Sequence, residues 1–245
     1  MLTSRKFERP RLPNMWTSTD LIRGVMEAHG TLISHGFASK VPGGLPASML
    51  STIAYLDALD QVLERSRGLI LSDKMQDTVR SAISDVQHRV MTWPELHLGE
   101  GDSISPALYE CCRWTVMLYS MAVIFPIPVA SGWHVRLLQH LHVVLEDAQF
   151  EVEDAHALLL WSLFTANIAA VRTSEQPYFE QKLRGLLITM KYVSWTVVHD
   201  QLVQFLWADS ACNEGGLAVW NAVWTHDAAL ERPAKLLDEQ LGSRA

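Results

Sequence analysis

Apolar residues recur at three- and four-residue spacing along almost the whole chain, which places them on one side of an α-helix. The pattern predicts a first helix after Ser18, followed by a break at "FASKVPGGLPASM". Further helices are predicted over 47–66, 74–92, 106–125 and 132–147, from Asp154, from Ser174 to Met190, within "WTVVHDQLVQFLW" and "GGLAVWNAVWTHD", and from Pro233. No convincing run alternates in the way that a sheet requires. We expect an all-α fold, a single multi-helix domain of about nine or ten helices.

Capping residues predict where some of these helices begin. Asp73 is the candidate cap of the helix over 74–92, and Ser131 is that of the helix over 132–147. Ser105 followed by Pro106 is a stronger signal, because a capping hydroxyl and a proline in the first turn both favour a helix start.

The most apolar stretch of the chain is "YECCRWTVMLYSMAVIFPIPVA", from Tyr109 to Ala130. A membrane-spanning helix needs about 20 residues. Here Pro126 ends the helix too early for that, so the stretch is better interpreted as a central buried helix. Arg113 is the one charge in its middle, and we expect an acidic side chain or a helix C-terminus beside it.

Composition narrows the classes of protein. The chain has 245 residues, 49% of them hydrophobic, and a net charge of −7, which disfavours direct binding of nucleic acid. Three cysteines are too few for a disulfide framework, and the N-terminus lacks a secretory signal, so we expect a reducing intracellular compartment. We divide the chain into a loose N-terminal arm (1–17, with Arg5, Lys6, Arg9 and Arg11), a helical domain (18–240) and a tail (241–245).

Residues typical of catalytic or metal sites are sparse. His142 and Glu146 share a helix face, and Glu153 and His156 have the spacing seen in di-iron bundles, but each is a single pair and a metal site needs more. Cys112 lies in an apolar helix, which raises rather than lowers the pKa of a thiol. No phosphate-binding glycine loop or nucleophile motif occurs. We therefore predict no catalytic, cofactor-binding or metal-ligating residue and no cofactor.

One alternative concerns Asp57 and Asp60, which are three residues apart in "DALD" and near one helix face. Helical terpene cyclases hold Mg²⁺ with carboxylates facing an apolar cavity, as suits a hard cation. The compact D-D-x-x-D form is absent, and an ordinary solvated helix face also explains the pair. The alternative to keep is a helical enzyme or ligand carrier of terpenoid or polyketide metabolism, such as a non-canonical Mg-dependent cyclase.

Three segments resemble a known family: "LYECCRWTVMLYSMAVIFPIP", "ALLLWSLFTANIAAVRTSEQPYF" and "LVQFLWADSACNEGGLAVWNAV". They are similar, in order and spacing, to segments of the fungal-specific transcription factor domain, the C-terminal regulatory region of fungal zinc binuclear cluster regulators. With "PGGLPASML" the resemblance runs from about Val41 to Val223. The chain departs from the family in lacking any C-x-x-C, in having Ala166-Asn167 where the family has two glycines, and in having Gln176 for an arginine.

The resemblance implies an all-α regulatory domain without its own DNA-binding module, acting in transcriptional regulation, with secondary metabolism as one setting. It implies a protein partner or a small-molecule effector. Because no C-x-x-C occurs, we expect no zinc and no direct nucleic acid binding by this chain alone, and because the apolar helix is short we expect no membrane. It also implies a nuclear location, with the cytoplasm as the other choice. Helices left unshielded would expose an apolar surface and favour a homo- or heterodimer.

Overall fold

The computed structural model describes residues 35–66, 72–93, 104–128, 131–147 and 152–242. Within these ranges every regular element is a helix and none is a strand, which confirms the all-α prediction. In chain order the helices are α1 (His35–Ser39), α2 (Ala47–Ser66), α3 (Asp73–Met91), α4 (Pro106–Tyr119), a π-helical turn (Ser120–Ile124), α5 (Trp133–Asp147), α6 (Val152–Ala170), α7 (Gln176–Thr189), α8 (Trp195–Leu202) and α9 (Asp209–Gly242). The helix predicted after Ser18 and the proposed arm and tail lie outside the described residues.

Several helix ends agree with the sequence signals. The predicted helix over 47–66 is α2, and Ser105 caps α4, since its hydroxyl accepts a hydrogen bond from the amide of Leu108 at 3.3 Å, with Pro106 in the first turn. The cap of α3 is Ser72 rather than Asp73: the Ser72 hydroxyl accepts from the Met75 amide at 3.3 Å, and Asp73 is the first helical residue. A serine one residue earlier takes the capping position and leaves the acid in the first turn, where the helix dipole favours it.

Two other boundaries differ from the predictions. Helix α6 begins at Val152 instead of Asp154. The last two predicted helices form one, because α9 runs from Asp209 to Gly242 without a break before Pro233. The residues that precede this proline, "DAALER", include good helix formers, so the local sequence supports continuation.

Helix α4 ends as its prolines predict, but through a wider turn. The amide of Phe125 donates to the Ser120 carbonyl at 2.9 Å, five residues back, and Phe125 then leaves helical geometry at φ −131° and ψ 80°. The residue before a proline is driven out of the helical region, which places this exit directly before Pro126.

Helix α6 lies at the centre of the described residues. It packs against α1, α4, α5, α7, α8 and α9. Trp161 on α6 is fully buried; its indole nitrogen donates to the Leu206 carbonyl at 2.7 Å, and Phe37 of α1 meets its ring edge-on with centroids 5.1 Å apart. A helix that is apolar all round in this way needs neighbours on every side.

The helical part of the apolar stretch is largely buried as predicted, whereas Phe125 at its end is 48% exposed. Tyr109, Cys111, Cys112, Val116 and Leu118 all belong to the core. None of the helices in the described part of the chain has the length and apolar character that a membrane crossing requires.

Glu110 is the acidic neighbour that was expected beside Arg113. The Arg113 guanidinium lies 2.9 Å from the Glu110 carboxylate one turn earlier on α4, and the Arg113 side chain is only 11% exposed. The guanidinium also lies over the Trp114 ring, 4.7 Å from its centroid, so the charge is balanced where the helix is packed.

Candidate functional site

Asp57 and Asp60 lie in the protein core, not on a solvated helix face as the simpler interpretation of their spacing held. Their relative exposures are 9% and 7%. Tyr119, at the end of α4, donates its hydroxyl proton to Asp60 at 2.7 Å. The same hydroxyl oxygen accepts from the amide of Ala208, directly before α9, at 3.1 Å. Asp60 therefore lies at a junction of α2, the end of α4 and the residue before α9, and Asp57 is buried one turn earlier on α2.

The surroundings of Asp57 favour its protonated form. Burial first, and the neighbouring Asp60 carboxylate second, raise the pKa of Asp57 to about 7, while a hydrogen bond from Gln61 acts in the opposite direction. Burial also raises the pKa of Tyr119 well above its usual value, and Asp60 adds to that effect. At pH 7 the Asp57 carboxyl is therefore protonated in about half of the molecules and the Tyr119 phenol is neutral, which suits their buried surroundings.

This geometry bears on the magnesium alternative. A Mg²⁺ site needs carboxylate oxygens that are ionised and directed into a space where water and a diphosphate can join them. Here Asp60 is bonded to a core tyrosine and Asp57 is held toward neutrality. No group of three or more His, Cys, Asp or Glu residues that could hold a metal ion occurs among the described residues.

The cysteines are buried thiols, as the apolar helix predicted. Burial raises the pKa of Cys111 to about 11 and that of Cys112 well above its usual value. Cys111 contacts the Ser162 hydroxyl of α6 at 3.6 Å, and Cys212 on α9 is also buried, with a pKa of about 12. A reactive cysteine needs the opposite environment, so the geometry gives Cys112 no activation.

The histidine and glutamate candidates on α5 bond to α7 rather than forming a site with each other. His142 Nδ1 lies 2.9 Å from Glu175, and its ring stacks on Tyr178 with centroids 3.5 Å apart. Glu146 accepts from Tyr178 at 3.0 Å and pairs with Lys182 at 2.8 Å. The predicted shared face is therefore a contact between two helices. The predicted pair of Glu153 and His156 involves a side chain, that of Glu153, which lies outside the described residues.

The positions that depart from the resembled family are structural contacts. Asn167 is 2% exposed, and its amide nitrogen donates to the Phe179 carbonyl at 3.0 Å, which ties α6 to α7. Gln176 accepts from the Arg172 amide at 2.8 Å and donates to Glu180 at 2.7 Å. These substitutions provide hydrogen bonds of their own within this chain.

A groove between α8 and α9 was not predicted from the sequence. It has a volume of about 540 Å³, is open to solvent, and is lined by Trp195, Thr196, His199, Asn213, Glu214 and Leu217. Asn213 organises its floor, because its side-chain oxygen accepts from the Trp207 indole at 2.8 Å and lies 3.0 Å from His199 Nε2. His199 Nε2 also lies 3.2 Å from Asp209.

A glycine allows the two tryptophans to close on α9. A Cβ atom at Gly216 would lie 2.9 Å from the rings of both Trp195 and Trp207. The adjacent glycines in the helical pattern at Gly215 and Gly216 are the sequence signal that could have indicated this close approach.

Comparison of the chain with models of known protein families, with curated proteins and with solved structures gave no match.

Proposed function

We propose that this chain is a transcription-factor-like regulatory domain, and that it acts through contacts with a protein partner or a small effector. The observation that supports it most is where the three family-like segments lie. They correspond to α4 with its π-helical turn, to α6 with the start of α7, and to the end of α8 with the first half of α9. Helix α6 packs against all of these neighbours. The resemblance thus follows one shared core and is not scattered over the surface.

The polar residues support a regulatory role over a catalytic one. Asp60, Tyr119 and Asn167 are engaged in hydrogen bonds between elements of the core. The groove between α8 and α9, by contrast, is open to solvent and available to a partner. A nuclear location and a setting in secondary metabolism belong to the same proposal, and they rest on the resemblance.

A tethering experiment tests the proposal. The whole chain is fused to a heterologous DNA-binding module in a fungal reporter strain, with the module alone as the control. We expect a change in reporter transcription of at least about tenfold, because a regulatory domain brings its partners to the promoter. Transcription equal to that of the module alone would contradict the proposal.

The cyclase alternative has a separate test. Purified protein is incubated with prenyl diphosphates and Mg²⁺, and products are sought by mass spectrometry alongside the variants Asp57→Asn and Asp60→Asn. We expect no product, because both acids are buried and Asp60 is already bonded to Tyr119. A product made by the natural chain and lost in both variants would establish the alternative.

A further inference from the structure

We propose that the groove between α8 and α9 is the docking site for a basic amphipathic helix of a partner protein. This inference rests on the proposed function and names the chemistry of the partner. The groove combines an aromatic wall, an exposed apolar rim and a border of carboxylates.

Apolar residues continue along α9 beyond those that line the groove. Leu217, on one side of the groove, is 42% exposed. The Trp195 ring meets Trp220, with centroids 6.4 Å apart, and Trp220 meets Trp224 at 5.5 Å. Leu217, Trp220 and Trp224 follow the spacing of one helix face, which is the pattern that an incoming helix contacts.

The charged residues of α8, the following turn and the first half of α9 are all acidic. Residues 192–225 contain Asp200, Asp209 and Glu214 and no lysine or arginine. Glu214 lines the groove itself, and Asp209 lies 3.2 Å from His199 in its wall. Lys40 approaches only the other end of α8, where it donates to Gln201 at 2.8 Å.

The acidic and aromatic side chains together favour a partner that is both basic and apolar. Lysine or arginine side chains can pair with Glu214 while they lie over the face of Trp195, and both contacts favour a cation. The leucine-like face of the same helix would cover Leu217. A groove this open to solvent suits a docked helix better than a small ligand, because a small ligand needs a concave site that buries most of its surface.

A binding measurement with a synthetic probe tests the proposal. The probe is a helical peptide of about 18 residues with lysines on one face and leucines on the other, and its matched control has glutamate for every lysine. Fluorescence anisotropy with the labelled peptide and the full chain is expected to give a dissociation constant in the micromolar range at about 0.15 M salt. Absence of saturable binding, or equal binding of the acidic peptide, would overturn the proposal.

Matched variants separate the groove from the overall charge. Glu214→Lys and Leu217→Lys are each expected to weaken binding at least about tenfold. Asp85→Lys, at an exposed position on α3, makes the same change of charge as the first, and Val143→Lys, at a valine 58% exposed on α5, matches the second. Circular dichroism checks that all four variants fold. An equal loss in the controls would show general charge attraction and would overturn the proposal.

Two other occupants are outcomes of the same test. A natural chain that dimerises in light scattering and becomes monomeric with Leu217→Lys would assign the groove to a second copy. A gain in peptide affinity of about tenfold or more when Arg5, Lys6, Arg9 and Arg11 are all changed to glutamine would assign it to this chain's own arm. Either result would overturn the partner proposal.

The two proposals can fail separately. Peptide binding that is lost in Glu214→Lys, together with a silent tethered reporter, would contradict the regulatory function and leave the groove as a docking site. An active reporter with no peptide binding would contradict the groove alone.

Discussion

At the scale of single residues, the Tyr119 side chain connects α4 to two other parts of the fold. Its hydroxyl donates to Asp60 on α2 and accepts from the amide of Ala208, which precedes α9. The sequence indicated that Asp57 and Asp60 share a helix face, because their spacing alone shows it. It could not indicate that the face is buried, since that depends on a tyrosine far away in the chain.

The change Tyr119→Phe should destabilise the fold while leaving its shape intact. The ring still fills its site, but the Ala208 amide loses its acceptor and Asp60 loses a donor. Each buried group deprived of its partner costs about 1–3 kcal/mol. Urea unfolding followed by circular dichroism measures the loss. Tyr192→Phe is the control, at a half-buried tyrosine for whose hydroxyl the described residues provide no hydrogen bond, and an equal effect there would contradict the role given to Tyr119.

At the scale of elements, helix positions were predictable where the apolar period and a terminal signal agreed. The start of α4 is an example, because Ser105 and Pro106 act locally. The turn after Leu202 was not predictable. The run "WTVVHDQLVQFLW" is helical in pattern, but Trp207 leaves the helix to bond with Asn213 in α9. A contact between elements decides that ending, and a local pattern cannot contain it.

Two glycines in helices should respond in opposite directions to alanine. At Gly216 a Cβ would lie 2.9 Å from two tryptophan rings, so Gly216→Ala should destabilise the protein by about 1–3 kcal/mol. At Gly185, in the middle of α7, a Cβ has no neighbour within 4 Å, so Gly185→Ala should stabilise by about 0.5–1 kcal/mol. The urea concentration at the midpoint of unfolding, compared with that of the natural protein, gives the sign of each change. If both changes had the same sign, the packing assigned to Gly216 would be wrong.

At the scale of the whole molecule, the described helices share one hydrophobic core. Phe37 of α1, Leu56 of α2, Trp161 of α6 and Phe179 of α7 all belong to it. Because the helices share this core, the free energy of unfolding of the whole protein should depend on the protonation of the buried Asp57 carboxyl.

The contribution of Asp57 to the free energy of unfolding should fall as the pH rises from about 4 to 7. The pKa of Asp57 is about 7 in the folded protein and near 3.8 in the unfolded chain, so the folded state holds a proton that the unfolded state has already released. The resulting loss is on the order of a few kcal/mol. It is complete once the pH exceeds the folded pKa.

The variant Asp57→Asn carries no titrating proton and isolates this effect. It should be similar to the natural protein in stability near pH 4 and more stable near pH 8. Urea unfolding across this range provides the comparison, with Asp85→Asn at an exposed site as the control. Parallel curves for Asp57→Asn and the natural protein would contradict the assignment.

The three buried thiols can report how often parts of the fold open. Cys111 and Cys112 lie on α4 and Cys212 lies on α9, so they sample two separate parts of the fold. A maleimide can reach each sulfur only when its helix opens, and the labelling rate under native conditions therefore reports how often that helix opens. A cysteine introduced on the rim of the groove would react with the maleimide much faster than the buried ones. The groove could therefore be labelled selectively while the three native cysteines are kept.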